Sequence, residues 1–258
     1  MTSPEPAEPA EQAEPWLARA RVADEVFALC PGYAALLITA DGLRPGPSDP
    51  ASHALLIAAQ DRAATALAGR PPQELAQVSQ WREAYRAFGA KPQRTRPSVE
   101  ALLRRLDTGI PRVDRITDAY NAVSVGWLVP VGGEDRAAYA GPLSLVRATG
   151  AEDFDTTASG DPVLEHPDPG EVVWRDDKGV TCRRWNWRQC TRTRITGTTT
   201  SAVFILDGLP ALGPDGLSAA ADELCTALAA LSPQARFARR LIGAPPPGEA
   251  ADEGPAGS

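Results

Sequence analysis

Ile116-Thr117-Asp118-Ala119-Tyr120-Asn121-Ala122-Val123-Ser124-Val125-Gly126-Trp127-Leu128-Val129-Pro130-Val131 is where the chain changes period. Up to Val123 the apolar residues recur at helical spacing, and from Trp127 to Val131 they run on as a short strand. Upstream, the pattern predicts helices over 16–29, 53–67, 73–88 and 99–106, with one strand at 33–39. Cys30-Pro31-Gly32 stops the first helix, Gly89 closes the third, and Ser98 caps the fourth. Downstream, strands are predicted at 127–131, 143–148, 171–174, 180–187 and 202–207, followed by a last helix at 218–231. Asp177-Lys178-Gly179 turns one of these strands back as a hairpin. Helices, then strands, then a closing helix indicate an α+β fold, one domain of sheets with flanking helices. That domain is expected over 15–243, between an acidic tail at 1–14 and a Pro/Gly-rich tail at 244–258, both read as disordered.

The composition is ordinary for a globular protein, with 43% hydrophobic and 23% charged residues in 258. No apolar run approaches the ~20 residues of a membrane span, so no membrane partner is expected. Residues 1–14 lack the basic and apolar regions of a signal peptide, which points to the cytoplasm. The four Cys stand at 30, 182, 190 and 225 without a C-x-x-C, and the two His, His53 and His166, are far apart. These spacings predict neither a metal site nor a cofactor. Cys182 and Cys190 lie among Arg residues that would lower a thiol pKa, although a small buried hydrophobe is the ordinary reading of each.

The net charge of −7 misleads about partners. Residues 1–14 hold four Glu, and 244–258 hold Glu249, Asp252 and Glu253, with no base in either, so the body between them is neutral. Within that body, 81–105 has seven bases against two acids, and 181–194 has five against none. Such an uneven map suits a polyanion.

The densest set of recognition groups is Thr181-Cys182-Arg183-Arg184-Trp185-Asn186-Trp187-Arg188-Gln189-Cys190-Thr191-Arg192-Thr193-Arg194. Guanidinium forks match phosphate or carboxylate, and indoles offer stacking faces. Strand alternation would put Arg184, Asn186 and Arg188 on one face, toward a site, and Arg183, Trp185 and Trp187 on the other. Two further segments accompany it. In one, Trp81, Tyr85 and Phe88 share a helical face suited to the core, with Arg82 and Arg86 on another face beside Lys91, Arg94 and Arg96. In the other, Asn121 and Ser124 end a helix before a Gly132-Gly133 turn and Glu134, as a pocket floor would require.

The order Tyr120-Asn121-Ala122-Val123-Ser124, Pro130, Asp135, Gly141-Pro142-Leu143-Ser144-Leu145-Val146-Arg147-Ala148, then Ile195-Thr196-Gly197-Thr198-Thr199, resembles the B3/B4 editing domain of the phenylalanyl-tRNA synthetase beta subunit. Trp81-Arg82-Glu83-Ala84-Tyr85, Phe88-Gly89, Lys91-Pro92 and Arg183-Arg184-Trp185-Asn186-Trp187-Arg188 resemble stand-alone bacterial relatives of that domain. The resemblance covers roughly 16–210. It implies a several-layered α+β domain that binds the aminoacylated 3′ end of tRNA and uses water to hydrolyse a wrongly attached amino acid. Two departures stand out. Gly132 replaces the His of the family's Pro-Leu-His-Ala-Phe-Asp, and 187–193 lacks the Glu of its Gly-Gly-Glu.

Three readings follow from the resemblance. The first is a stand-alone trans-editing factor, an aminoacyl-tRNA deacylase in translation quality control, with tRNA and a synthetase in trans as partners. Asn121, Glu134 and Asn186 would then be catalytic, with Glu134 as base. Ser124, Gly132, Gly133, Arg184, Gln189 and Thr193 would hold the aminoacyl group. Arg82, Arg86, Lys91, Arg94, Arg96, Arg183 and Arg188 would meet phosphates, making binding salt-sensitive. The second reading is a module that binds aminoacyl-tRNA or an amino acid without hydrolysis. The third is an enzyme acting on another small carboxylate or phosphate substrate.

Overall fold

The computed structural model describes residues 9–243. The N-terminal part comprises α1 (Pro9–Ala18), β1 (Arg21–Val22), α2 (Asp24–Leu29), β2 (Ala34–Asp41), α3 (Pro50–Leu67), α4 (Ala76–Ala87), α5 (Ser98–Leu103) and α6 (Arg115–Trp127). Then follow β3 (Val131–Asp135), β4 (Ser144–Arg147), β5 (Phe154–Ala158), β6 (Asp161–Glu165), β7 (Val172–Arg175), β8 (Val180–Arg183) and β9 (Arg188–Gln189). β10 (Ser201–Gly208), α7 (Gly213–Leu231) and β11 (Arg236–Gly243) close the described chain.

The architecture is α+β, as expected. A four-stranded antiparallel sheet in the order β11-β2-β10-β3 is its middle layer. Alternation along β10 feeds a different core on each face. Phe204 and Leu206 pack with Ile116 and Val123 of α6 and Leu217, Leu224 and Leu228 of α7. Val203 and Ile205 join Leu37 and the indoles Trp81, Trp174 and Trp185 on the opposite side. That side is roofed by a five-stranded sheet in the order β1-β4-β7-β8-β9, where only β1 pairs in parallel. β5 and β6 form a separate hairpin.

Several expectations need correction. The helix expected at 16–29 is interrupted, because Arg21 and Val22 pair with Ser144 and Leu145. The strand expected at 127–131 is a helix end. α6, capped by Asp114 through the amides of Ile116 and Thr117, runs to Trp127, and Leu128 turns left-handed at φ 57°. A short buried apolar run cannot distinguish these two states. The Gly132-Gly133 turn is instead part of β3. Ser98 does not cap α5: Pro97 precedes the helix, and the buried Ser98 hydroxyl has no partner among the described residues. β5, β6 and β11 carry many exposed polar residues, which hid their strand character. The Asp177-Lys178-Gly179 hairpin joins β7 to β8 as predicted.

α1 begins at Pro9 and buries Ala13, so ordered chain starts before residue 15. Residues 1–8, and the tail expected at 244–258, lie outside the described residues. Among the described residues no helix is long and apolar enough to cross a membrane.

Candidate functional site

In the β3–β10 register, Glu134 lies opposite Val203 and Gly132 opposite Ile205. Glu134, Gly132, Ile205 and Asp207 therefore share one face of the sheet. Above them stand the β8–β9 connection and β9, residues 184–189, and beside them stand α5 and α6. Together these elements enclose a cavity of about 310 Å³. Small-molecule sites span roughly 300–1,000 Å³, so this one suits a group of amino-acid size. Asp207 is four residues along β10 from Val203, a backbone rise of about 13 Å, which places Glu134 and Asp207 toward opposite ends of the floor.

At one end, Oε2 of the buried Glu134 accepts hydrogen bonds from the hydroxyls of Tyr139 and Thr193, each at 2.7 Å. Its Oε1 has no hydrogen-bond partner among the described residues. Burial pushes the Glu134 pKa up, and the donors from Thr193 and Tyr139 pull partly against it. Asn121 lines the cavity from α6. Gln189 donates from Nε2 to the Gly133 carbonyl at 2.9 Å, which pins its side chain across the cavity wall. Gly133 itself faces away, and a Cβ there would lie 2.8 Å from the Tyr120 ring. Gly133→Val is accordingly expected to destabilise the fold by about 1–3 kcal/mol through overpacking, measurable by urea unfolding.

At the other end, Oδ1 of Asp207 accepts from the Tyr33 hydroxyl at 2.6 Å, and Oδ2 accepts from Asn186 Nδ2 at 3.2 Å. The Tyr85 hydroxyl donates to Asn186 Oδ1 at 2.9 Å. Asn186 is thus engaged at both ends of its amide and orients Asp207. Burial carries the Asp207 carboxyl from 3.8 up to about 7, against the pull of Tyr33 and Asn186. Because the folded pKa lies above the unfolded one, the folded protein binds more protons between the two values. Stability tied to this group is therefore lost as pH rises through that window. Asp207→Asn should gain roughly 2–3 kcal/mol relative to the parent between pH 5 and pH 8, read from unfolding curves at both pH values.

The wall between the two ends departs from the alternating strand predicted for it. β8 stops at Arg183 because Arg184 and Trp185 take φ values of 46° and 69°. Bulky residues rarely accept such angles. What holds them is the burial of Trp185, whose ring lies edge-on to Tyr33 at 4.9 Å and to Trp81 at 5.2 Å. Trp185, Asn186 and Trp187 consequently all line the cavity, while Arg184 points into a neighbouring one.

The other predicted residues separate by environment. Ser124 donates to the Val129 carbonyl at 2.6 Å and belongs to the end of α6. Thr193 supports Glu134 from behind and does not line the cavity. Arg82 and Arg96 surround the buried Glu100, with Arg82 Nη1 2.9 Å from both carboxylate oxygens. Arg183 is buried and paired with Glu171 and Glu165. Both arrangements are structural. Arg86 is exposed on α4. Lys91, Arg94 and Arg184 line the neighbouring cavity of about 480 Å³, together with Asp168 and Glu171. Arg188 lies over the Trp187 ring at 5.6 Å and borders the main cavity.

Burial pushes the Cys182 and Cys190 thiols up, against the expected lowering by Arg. Among the described residues no three His, Cys, Asp or Glu gather as metal ligands. Sequence reasoning missed Asp207, Tyr139 and Tyr33. The signal for Asp207 was a carboxylate at the end of the wholly apolar run 202–206, but an acid there also reads as the point where a strand leaves the core.

These features define a layered α+β protein with one carboxyl-flanked, indole-walled cavity of amino-acid size. A family model described as the B3/4 domain matches residues 80–224, more than half of the chain. The chain belongs to the B3/4 domain family. Comparison with curated proteins finds no match. Among solved structures, it is similar to an N-terminal fragment of the phenylalanyl-tRNA synthetase beta-subunit from Pyrococcus horikoshii, at 14% identity and a TM-score of 0.43. That likeness covers 84% of this chain and 49% of the other, so the chain spans about half the length of that fragment.

Proposed function

We propose that this protein binds the aminoacylated 3′ end of a tRNA and hydrolyses the ester of a wrongly attached amino acid. The observation that carries the reading is Glu134. One of its oxygens is held by two hydroxyls and the other has no partner among the described residues, on the wall of a cavity of amino-acid size. B3/4 family membership, and the resemblance of the motifs to a synthetase editing domain, point to tRNA as the partner.

In this reading Glu134 accepts a proton from a water molecule as that water attacks the ester carbonyl. The amide of Asn121 and the remaining N–H of Gln189 meet the developing oxyanion. The C–O bond to the ribose breaks, and the ribose oxygen takes up the proton as it leaves. The adjacent ribose hydroxyl helps place the water, so the His absent at Gly132 is not required. Lys91, Arg94 and Arg184 border the neighbouring cavity and Arg188 the main one, and these cations would meet the terminal phosphates.

A second reading, binding without hydrolysis, is favoured by Gly132, which supplies no side chain where the resemblance places His. A panel of correctly and wrongly charged tRNAs separates the two. Ester loss above the buffer rate for a mischarged species supports hydrolysis. Salt-sensitive binding with no ester loss from any species replaces it with the second reading.

A further inference from the structure

We propose that the Asp207 end of the cavity is a subsite for a protonated amine at the end of the substrate's side chain, so that the preferred aminoacyl group is of the lysine or ornithine class. This rests on the aminoacyl reading of the same cavity. Asp207 is 2% exposed yet forms part of the cavity wall. Both its oxygens are held in place, but by the neutral groups Tyr33 and Asn186. The charges that raise or lower its proton affinity include no Arg or Lys among the described residues. A carboxylate buried without a counter-charge is costly, and that cost is offset when a ligand brings the missing cation.

The surrounding walls suit such a cation. Trp174, Trp185 and Trp187 line the cavity with Asp207, and indole faces attract ammonium groups. The Asn186 amide, fixed by the Tyr85 hydroxyl, keeps the carboxyl aimed rather than free to rotate. The placement favours a long side chain. Asp207 lies four residues further along β10 than Val203, the partner of Glu134, so with the ester at Glu134 the far end of a long unbranched side chain is the part directed toward Asp207, whereas the α-amino group stays beside the ester. A hydroxyl would form a hydrogen bond but leave the charge uncompensated, and an apolar side chain would do neither. The upward displacement of the carboxyl to about 7 is consistent with a site built to be neutralised from outside.

Calorimetric titration of the full-length protein with L-lysinamide and L-norleucinamide tests this, since the two differ at the terminal ammonium. Lysinamide is expected to bind at least about tenfold more tightly, as a charge-assisted hydrogen bond supplies. Asp207→Asn, checked for an unchanged circular dichroism spectrum, should abolish that preference. The wild-type comparison decides the matter even if the variant misfolds. Equal affinities, tighter binding of L-homoserinamide, or no binding of lysinamide at millimolar concentration would overturn the subsite. Loss of this preference with charged-tRNA binding intact sinks the subsite alone. The preference without any tRNA binding sinks the tRNA reading alone.

Discussion

Glu134→Gln is expected to slow ester hydrolysis by about 10²–10⁴-fold while leaving the binding of charged tRNA unchanged. The amide is nearly isosteric, and its oxygen can still accept from Tyr139 and Thr193, which hold Oε2 at 2.7 Å. What it cannot do is take a proton from water. Burial has already raised the affinity of this carboxyl for a proton, which strengthens it as a base. Substitution therefore removes chemistry and spares architecture. Single-turnover deacylation should show the loss in the rate of the chemical step, while filter binding shows the parent affinity. An equal loss in both would mean that Glu134 holds the cavity together and does not act on water.

Trp185→Ala carries the largest expected cost in stability, about 3–5 kcal/mol for a fully buried large aromatic. Its ring is the hub between Tyr33, Trp81 and Phe88, so truncation opens a void shared by three elements. The backbone strain remains, because Ala at φ 69° is no more at ease than Trp, while the packing that overcame it is gone. The β8–β9 connection should loosen as well, since Trp185 N–H is bonded to the Val172 carbonyl at 2.6 Å. Two readouts are expected to move together: a lower urea midpoint and weaker binding of cavity ligands. A stable Trp185→Ala protein with an unaltered cavity would show that the turn is held by its backbone alone.

Much of this architecture was legible because burial and period coincide. The α3 and α4 patterns and the apolar run of β10 announced helices and a central strand. The hairpin 154–165 and the edge strand Arg236–Gly243 did not, because their solvent-facing positions carry Thr, Asp, Pro and Arg that blur any alternation. The site divides along similar lines. Asn121, Gly132, Glu134, Asn186 and Gln189 were singled out as polar or glycine residues in unlikely surroundings, and all five line one cavity. The basic residues misled. Arg82 and Arg183 look like phosphate ligands in sequence but neutralise Glu100 and Glu171, acids far away in the chain. The face assignment failed at Arg184, since alternation holds only while φ stays negative. Asp207 gained its role from long-range contacts, with Tyr33 174 residues away, which no local pattern contains.

The space between α6, β3 and residues 184–189 is expected to receive the aminoacyl group of a charged 3′-terminal adenosine. The most direct measurement is the tryptophan emission of the full-length protein during titration with a panel of 3′-aminoacylamido-3′-deoxyadenosines, whose amide bond resists hydrolysis. Trp185 and Trp187 line the cavity, so at least one member of the panel should produce a saturable change. That change should disappear in Gly132→Leu, whose side chain would enter the cavity beside Gln189, 3.3 Å from any Cβ at that position. A flat response across the panel, or an identical response from a folded Gly132→Leu protein, would contradict the account.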